Sequence, residues 1–113
     1  MAQPWLDLAK TTLGPDDNVE NTYSCTLNNQ IGYLCLGTSK LVFVNVKGFL
    51  RKKYEVLLDT PYDELDDVFL VDRFGVDLSH KDKIHHIETS DIPGKILAEE
   101  IQALSKGPSA EPL

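Results

Sequence analysis

The chain has little of the chemistry that most readily announces a function. Its cysteines, Cys25 and Cys35, are only two in 113 residues, too few for the disulfide framework of a small secreted domain. Both fall in segments of alternating apolar residues, where cysteine usually packs as a small hydrophobe; a bridge between neighbouring strands is the alternative. The longest apolar run, Leu41 to Val46, is far too short for a membrane-spanning helix. The opening Met1-Ala2-Gln3-Pro4-Trp5 lacks the basic start and apolar stretch of a secretory signal, which predicts a cytoplasmic chain, at most peripheral at a membrane. P-loop, dinucleotide-fingerprint, nucleophile-elbow and Cys-x-x-Cys patterns are missing too.

What is present is the composition of one globular domain: 42% hydrophobic and 26% charged residues. The formal charge of −7 sets the chain against a phosphate backbone, so nucleic acid is not an expected partner. That charge is unevenly spread. Lys47, Arg51, Lys52 and Lys53 put four cations into seven residues around Gly48, Phe49 and Leu50. The stretch from Asp59 to Asp72 holds six carboxylates and no cation.

Hydrophobic periodicity predicts the elements. Trp5, Leu8, Ala9 and Leu13 have helical spacing and stop at Gly14-Pro15, so residues 1–17 read as a short helix and turn that needs a docking surface. From Val19 the period becomes two. Strands are expected over 19–27, 31–36, 41–46, 54–59, 65–74, 76–79 and 84–89, with Tyr54, Val56 and Leu58 sharing one face of the fourth. The third run is apolar enough to be covered on both faces. A final amphipathic helix is expected over 91–106. Ser90-Asp91 would cap it, Pro93 would sit in its first turn, and Ile96, Leu97, Ile101 and Leu104 would form its buried stripe, with Glu99, Glu100 and Gln102 facing water. Gly107 and Pro108 end it, leaving 107–113 as a flexible tail.

Two stretches resemble a known family. Gly32-Tyr33-Leu34-Cys35-Leu36-Gly37-Thr38-Ser39-Lys40-Leu41-Val42-Phe43 is similar to the second-to-third-strand hairpin of GRAM and bacterial PH-like domains. Thr60-Pro61-Tyr62-Asp63-Glu64-Leu65-Asp66-Asp67-Val68 is similar to their step into the fifth strand. The resemblance departs from the family pattern at Lys40, in place of an arginine, and at Gly37-Thr38-Ser39, in place of a threonine-asparagine turn. It implies the pleckstrin-homology (PH)-like superfold over 18–106: mainly β, a seven-stranded antiparallel barrel or sandwich closed by a C-terminal helix. Motifs of apolar and turn residues report a fold rather than a chemistry.

Three surfaces are candidates. The basic loop Lys47, Phe49, Leu50, Arg51, Lys52 and Lys53 has the makeup of an anionic-lipid or acidic-partner site; the alternative is a solvated hairpin. The phosphoinositide pattern that the resemblance implies lies between strands one and two, where Asn28-Asn29-Gln30 carries no cation. Asp63, Glu64, Asp66 and Asp67 form an acidic face able to steer a basic partner, and their spacing is not that of a calcium loop. His80, Asp82 and His86 are the remaining set. His85 and His86 point to opposite faces, so a shared ion would have to lie between His80 and His86 across a hairpin.

The leading expectation is a non-catalytic adaptor acting by protein contact, through self-association of a strand edge or a helix face, or through another protein. Binding of anionic lipid through Lys47–Lys53 comes second, and a metal-dependent enzyme built on His80, Asp82 and His86 comes last. No cofactor, metal or transmembrane segment is expected.

Overall fold

The period-two segments fold into seven strands, in a computed structural model that describes residues 4–48 and 50–106. These are β1 (Val19–Leu27), β2 (Gln30–Gly37), β3 (Lys40–Lys47), β4 (Lys53–Pro61), β5 (Asp67–Leu70), β6 (Gly75–His80) and β7 (Lys83–Thr89). Helix α1 spans Pro4–Leu13 and α2 spans Gly94–Lys106. The strands form one antiparallel sheet in the order β4-β3-β2-β1-β7-β6-β5. β4 and β5 are its two ends and do not pair, so the sheet is open and the expected closed barrel is not formed.

Two tight turns adopt a left-handed backbone, which asparagine and aspartate tolerate best. Asn28 and Asn29 (φ 50° and 71°) join β1 to β2, and Lys81 and Asp82 (φ 50° and 66°) join β6 to β7.

The inner face of the curved sheet carries Leu27, Leu34, Leu36, Leu41, Phe43, Leu58, Val76, Leu78 and Ile87, and α2 lays Leu97, Ala98 and Ile101 against them. The outer face of β2 and β3 is covered by α1, whose Ala9 and Leu13 bury Cys35, Val42 and Val44. β3 is therefore covered on both faces, as its continuous apolar run predicts. Ten residues of isolated helix are marginal in water, so this packing is what holds α1. Trp5 stacks on Tyr33 at 4.0 Å, and Gly14, at φ +98°, donates its N–H to Lys10 O to end the helix.

Four expectations need correction. The residues of β4 do not keep one alternation. Phe43 opposes Leu58 and Val44 opposes Val56, which leaves Leu57 as the extra residue of a β-bulge. Tyr54 and Val56 pack under α1, whereas Leu57 and Leu58 join the inner core. The fifth strand is four residues rather than ten, because Tyr62–Glu64 form a 3₁₀ turn and residues 71–74 turn back to β6.

The other two concern α2. It starts at Gly94, later than expected: Ile96 and Leu97 donate to Pro93 O, and Asp91 spends its Oδ2 on the Ser24 N–H at 2.6 Å. Gly94 suits the close approach there: a Cβ would stand 3.2 Å from Gly75 N and O as the helix start crosses the β5–β6 hairpin. Ile96 is 47% exposed and lies off the buried stripe, while Glu100 turns inward to accept hydrogen bonds from Tyr23 and Asn21. The expectations for Gly107, Pro108 and the tail lie outside the described residues.

Phe43 is fully buried and its ring lies over Gly32, where a Cβ would stand 2.8 Å from Cζ. Phe43→Ala is expected to lower unfolding free energy by about 3–5 kcal/mol in urea titration, against less than about 0.5 kcal/mol for Ile31→Ala on the exposed face.

Candidate functional site

Strand direction decides which candidates can meet. β1 leads to the turn Asn28-Asn29, and β3 leads to the basic loop at the same end of the sheet. β7 runs antiparallel to β1 and pairs only with its last residues, Cys25 to Leu27, so β6 starts level with the end of β1. The turn of residues 71–74 lies beside the start of α2, where Gly94 donates to Arg73 O at 2.8 Å, and Gly75 just after it is linked through Glu88 to Thr26 near the end of β1.

The basic loop is open to solvent. Gly48 takes φ +97°, and Leu50 is 90% exposed. Lys47 pairs with Glu55 across the β3–β4 ladder at 3.0 Å. Arg51, Lys52 and Lys53 are exposed and form no ion pair among the described residues. Phe49 lies outside the described residues.

The acidic candidates are partly engaged. Glu64 lies 3.3 Å from His80 Nε2 and 3.8 Å from Lys81 Nζ. Asp66 accepts the Lys81 N–H, and Asp67 accepts the Val68 N–H. Asp63 is exposed at the 3₁₀ turn. Glu64 and Asp66 brace the start of β5 against the β6–β7 turn, and the four carboxylates together leave a negative surface.

A feature that the sequence reading did not pick out adjoins them. Phe69, Leu70, Val71 and Phe74 are each about half exposed along β5 and its turn. Arg73 lies over the Phe74 ring at 5.6 Å. The signal was there in Phe69-Leu70-Val71 standing between Asp66-Asp67 and Asp72, but an expected strand of ten residues hid it. The backbone edge beside these side chains is occupied at Val68, whose O accepts from Gln102 of α2 and whose N–H is held by Asp67. That short, blocked edge is poorly suited to adding another strand.

The histidines do not assemble as the metal reading requires. His80 and His85 share the inner face with ring centroids 6.3 Å apart, whereas His86 pairs with Asp77 on the outer face. Asp82 is a turn residue, and no group of three potential ligands converges among the described residues. The cysteines are likewise separated: Cys25 belongs to the inner core and Cys35 to the layer under α1, so the alternative of a bridge between them is not realised. Burial pushes both thiols up to about 12.

Shallow hollows of about 520 and 540 Å³ flank Lys10 between α1 and the start of β1, and one of about 310 Å³ lies between Thr26, Ile31 and Glu88. None includes a candidate residue from the basic loop or the acidic face. The described residues of both candidates are exposed, forming open surface fit for contact with another large body.

His86 places Nδ1 2.6 Å from Asp77 Oδ1 and Nε2 3.2 Å from Glu88 Oε1. Only the doubly protonated ring donates at both nitrogens, so these hydrogen bonds raise its pKa above 6.5, with desolvation opposing. Burial lowers that of His85, assisted by His80 and Lys83. Proton NMR is expected to show the His86 midpoint above 6.5 and the His85 midpoint below it, with Asp77→Asn moving His86 down. The stabilisation from His86 is full below its unfolded value and is lost as pH rises through the folded midpoint.

No family model matches the chain, and no curated protein does. Among solved structures it is similar to the crystal structure of the C-terminal domain of an unknown protein from Leishmania infantum. The TM-score is 0.58 at 14% identity, over 88% of this chain and 90% of that one. At that identity the likeness speaks for a shared fold alone.

Proposed function

We propose that this chain is a non-catalytic, PH-like binding module that acts by protein contact as an interaction or assembly adaptor. The PH-like part is supported by the order of elements, seven antiparallel strands and then a helix packed into the sheet, and by what the resembling stretches do. Tyr62, in the second stretch, is buried and donates its hydroxyl to Gly37 O at 2.7 Å and its N–H to Ser39 O at 3.1 Å. Those acceptors end the β2–β3 hairpin of the first stretch. The motif residues thus lash the step out of β4 to the β2–β3 turn.

The observation that carries the functional part is the half-exposed run Phe69, Leu70, Val71 and Phe74. Exposed apolar side chains gathered along one edge strand and its turn, rimmed by charge, are a common mark of protein interfaces. Because Gln102 and Asp67 occupy the backbone edge at Val68, recognition here would rest on side chains rather than on an added strand.

A second reading, attachment to anionic lipid, is favoured by Leu50 standing 90% exposed beside Arg51, Lys52 and Lys53. At about 1 kcal/mol per basic residue near an anionic surface, three free cations supply about 3 kcal/mol. That is a weak, salt-sensitive hold, opposed by the net charge of −7. Protein contact therefore ranks first.

Quantitative affinity capture with the wild type, a Phe69→Glu/Phe74→Glu variant and an Arg51→Glu/Lys52→Glu variant separates the readings. The protein-contact reading expects partners to be lost with the first variant. An unchanged partner set, or a wild type that retains none and stays monomeric at high concentration, counts against it. For the lipid reading, sedimentation with phosphoinositide vesicles at low and moderate salt should fall for the loop variant. Equal sedimentation of wild type and loop variant removes that reading.

A further inference from the structure

We infer that the chain associates with a second copy of itself head to tail, the basic loop of one molecule seating on the β5–β6 surface of the next. The inference rests on the protein-contact reading and names its partner.

The two surfaces complement each other. The loop presents Leu50, 90% exposed, with Arg51, Lys52 and Lys53 unpaired among the described residues. The receiving surface presents Phe69, Leu70, Val71 and Phe74 at about half exposure. Between Asp66 and Asp77 its charges are Asp66, Asp67, Asp72 and Asp77 against Arg73 alone. An apolar tip ringed by cations faces an apolar strip rimmed by carboxylates.

Within one molecule the two surfaces do not pair. β4 and β5 close opposite sides of the strand order, and Arg51, Lys52 and Lys53 form no ion pair with the β5–β6 carboxylates among the described residues. A contact between different patches on identical molecules is heterologous and propagates into rings or open chains. The net charge of −7 repels copies at long range, but at physiological salt screening acts over about 8 Å, so the opposed local charges decide the contact.

The test uses the full chain in sedimentation velocity at about 0.1 M salt, over a hundredfold concentration range. The wild type is expected to sediment faster as concentration rises, and more slowly again on raising salt fivefold. Arg51→Glu/Lys52→Glu and Asp66→Lys/Phe69→Lys should each weaken self-association at least tenfold. Because each variant keeps one intact surface, an equimolar mixture of the two should give a capped one-to-one dimer. Circular dichroism and urea midpoints matching the wild type establish that both variants are folded. Asp67→Lys/Asp72→Lys replaces the surface variant if it unfolds. A wild type that stays monomeric, a surface variant that self-associates like the wild type, or a mixture that does not re-form the dimer overturns the inference. Loss of vesicle binding by the loop variant, with self-association unchanged, assigns the loop to lipid and also overturns it. The broader protein-contact reading survives these outcomes if Phe69→Glu/Phe74→Glu still loses a different protein.

Discussion

The fold depends on a seam of three residue pairs. β1 to β4 form one meander and β5 to β7 another, and the hydrogen-bonded ladder between them is Cys25, Leu27 and the intervening Thr26 against Thr89, Ile87 and Glu88. So short a ladder needs reinforcement, and the sequence provides it at both ends. Asn28 exchanges bonds with His86 through its N–H and its side chain, while Ser90 and Asp91 bind the backbone of Ser24. α2 then closes the gap on the inner side, with Glu100 held by Tyr23 and Asn21 of β1 and Gln102 touching Val68 of β5. Because each meander buries its apolar face only when the other is in place, seam and core should be lost together.

The open sheet that results has two ends that differ in kind. At β4 the edge is long but bent by the bulge at Leu57 and charged at Lys53, Glu55 and Asp59, devices that discourage strand addition. At β5 the edge is short and blocked, while its side chains expose apolar surface. Charge follows the same division, cations in the loop ahead of β4 and carboxylates around β5. The proposed contact uses both ends without calling on an open backbone edge at either.

Much of this was legible in the sequence where one period dominates. α1, the β1–β2 hairpin and the doubly covered β3 follow directly from spacing and from Asn28-Asn29. The expected faces failed where one residue shifts a register. Leu57-Leu58, two apolar residues in succession, were the visible trace of the bulge, but alternation alone assigned Leu57 outward. In α2, Ile96 has helical spacing yet is exposed, because the helix is oriented by Leu97, Ile101 and the Glu100 clamp, contacts that lie far away in sequence. Asp91 looks like a cap until the Ser24 amide competes for it. Of the candidate sites, the basic loop was plain from composition. The apolar surface on β5 was not, since exposure of Leu70 is set by what α2 leaves uncovered and that of Phe69 by the lack of any element over the outer face of this edge strand.

The central claim is that function resides in two opposed surfaces, the loop of residues 47–53 and the surface of residues 66–77. It is tested most directly by amide chemical shifts of the ¹⁵N-labelled chain followed through serial dilution. The account predicts concentration-dependent shifts confined to those two segments and moving with a common dissociation constant. Spectra that superimpose at every concentration, or shifts centred on α1 and the outer face of β1, would contradict it.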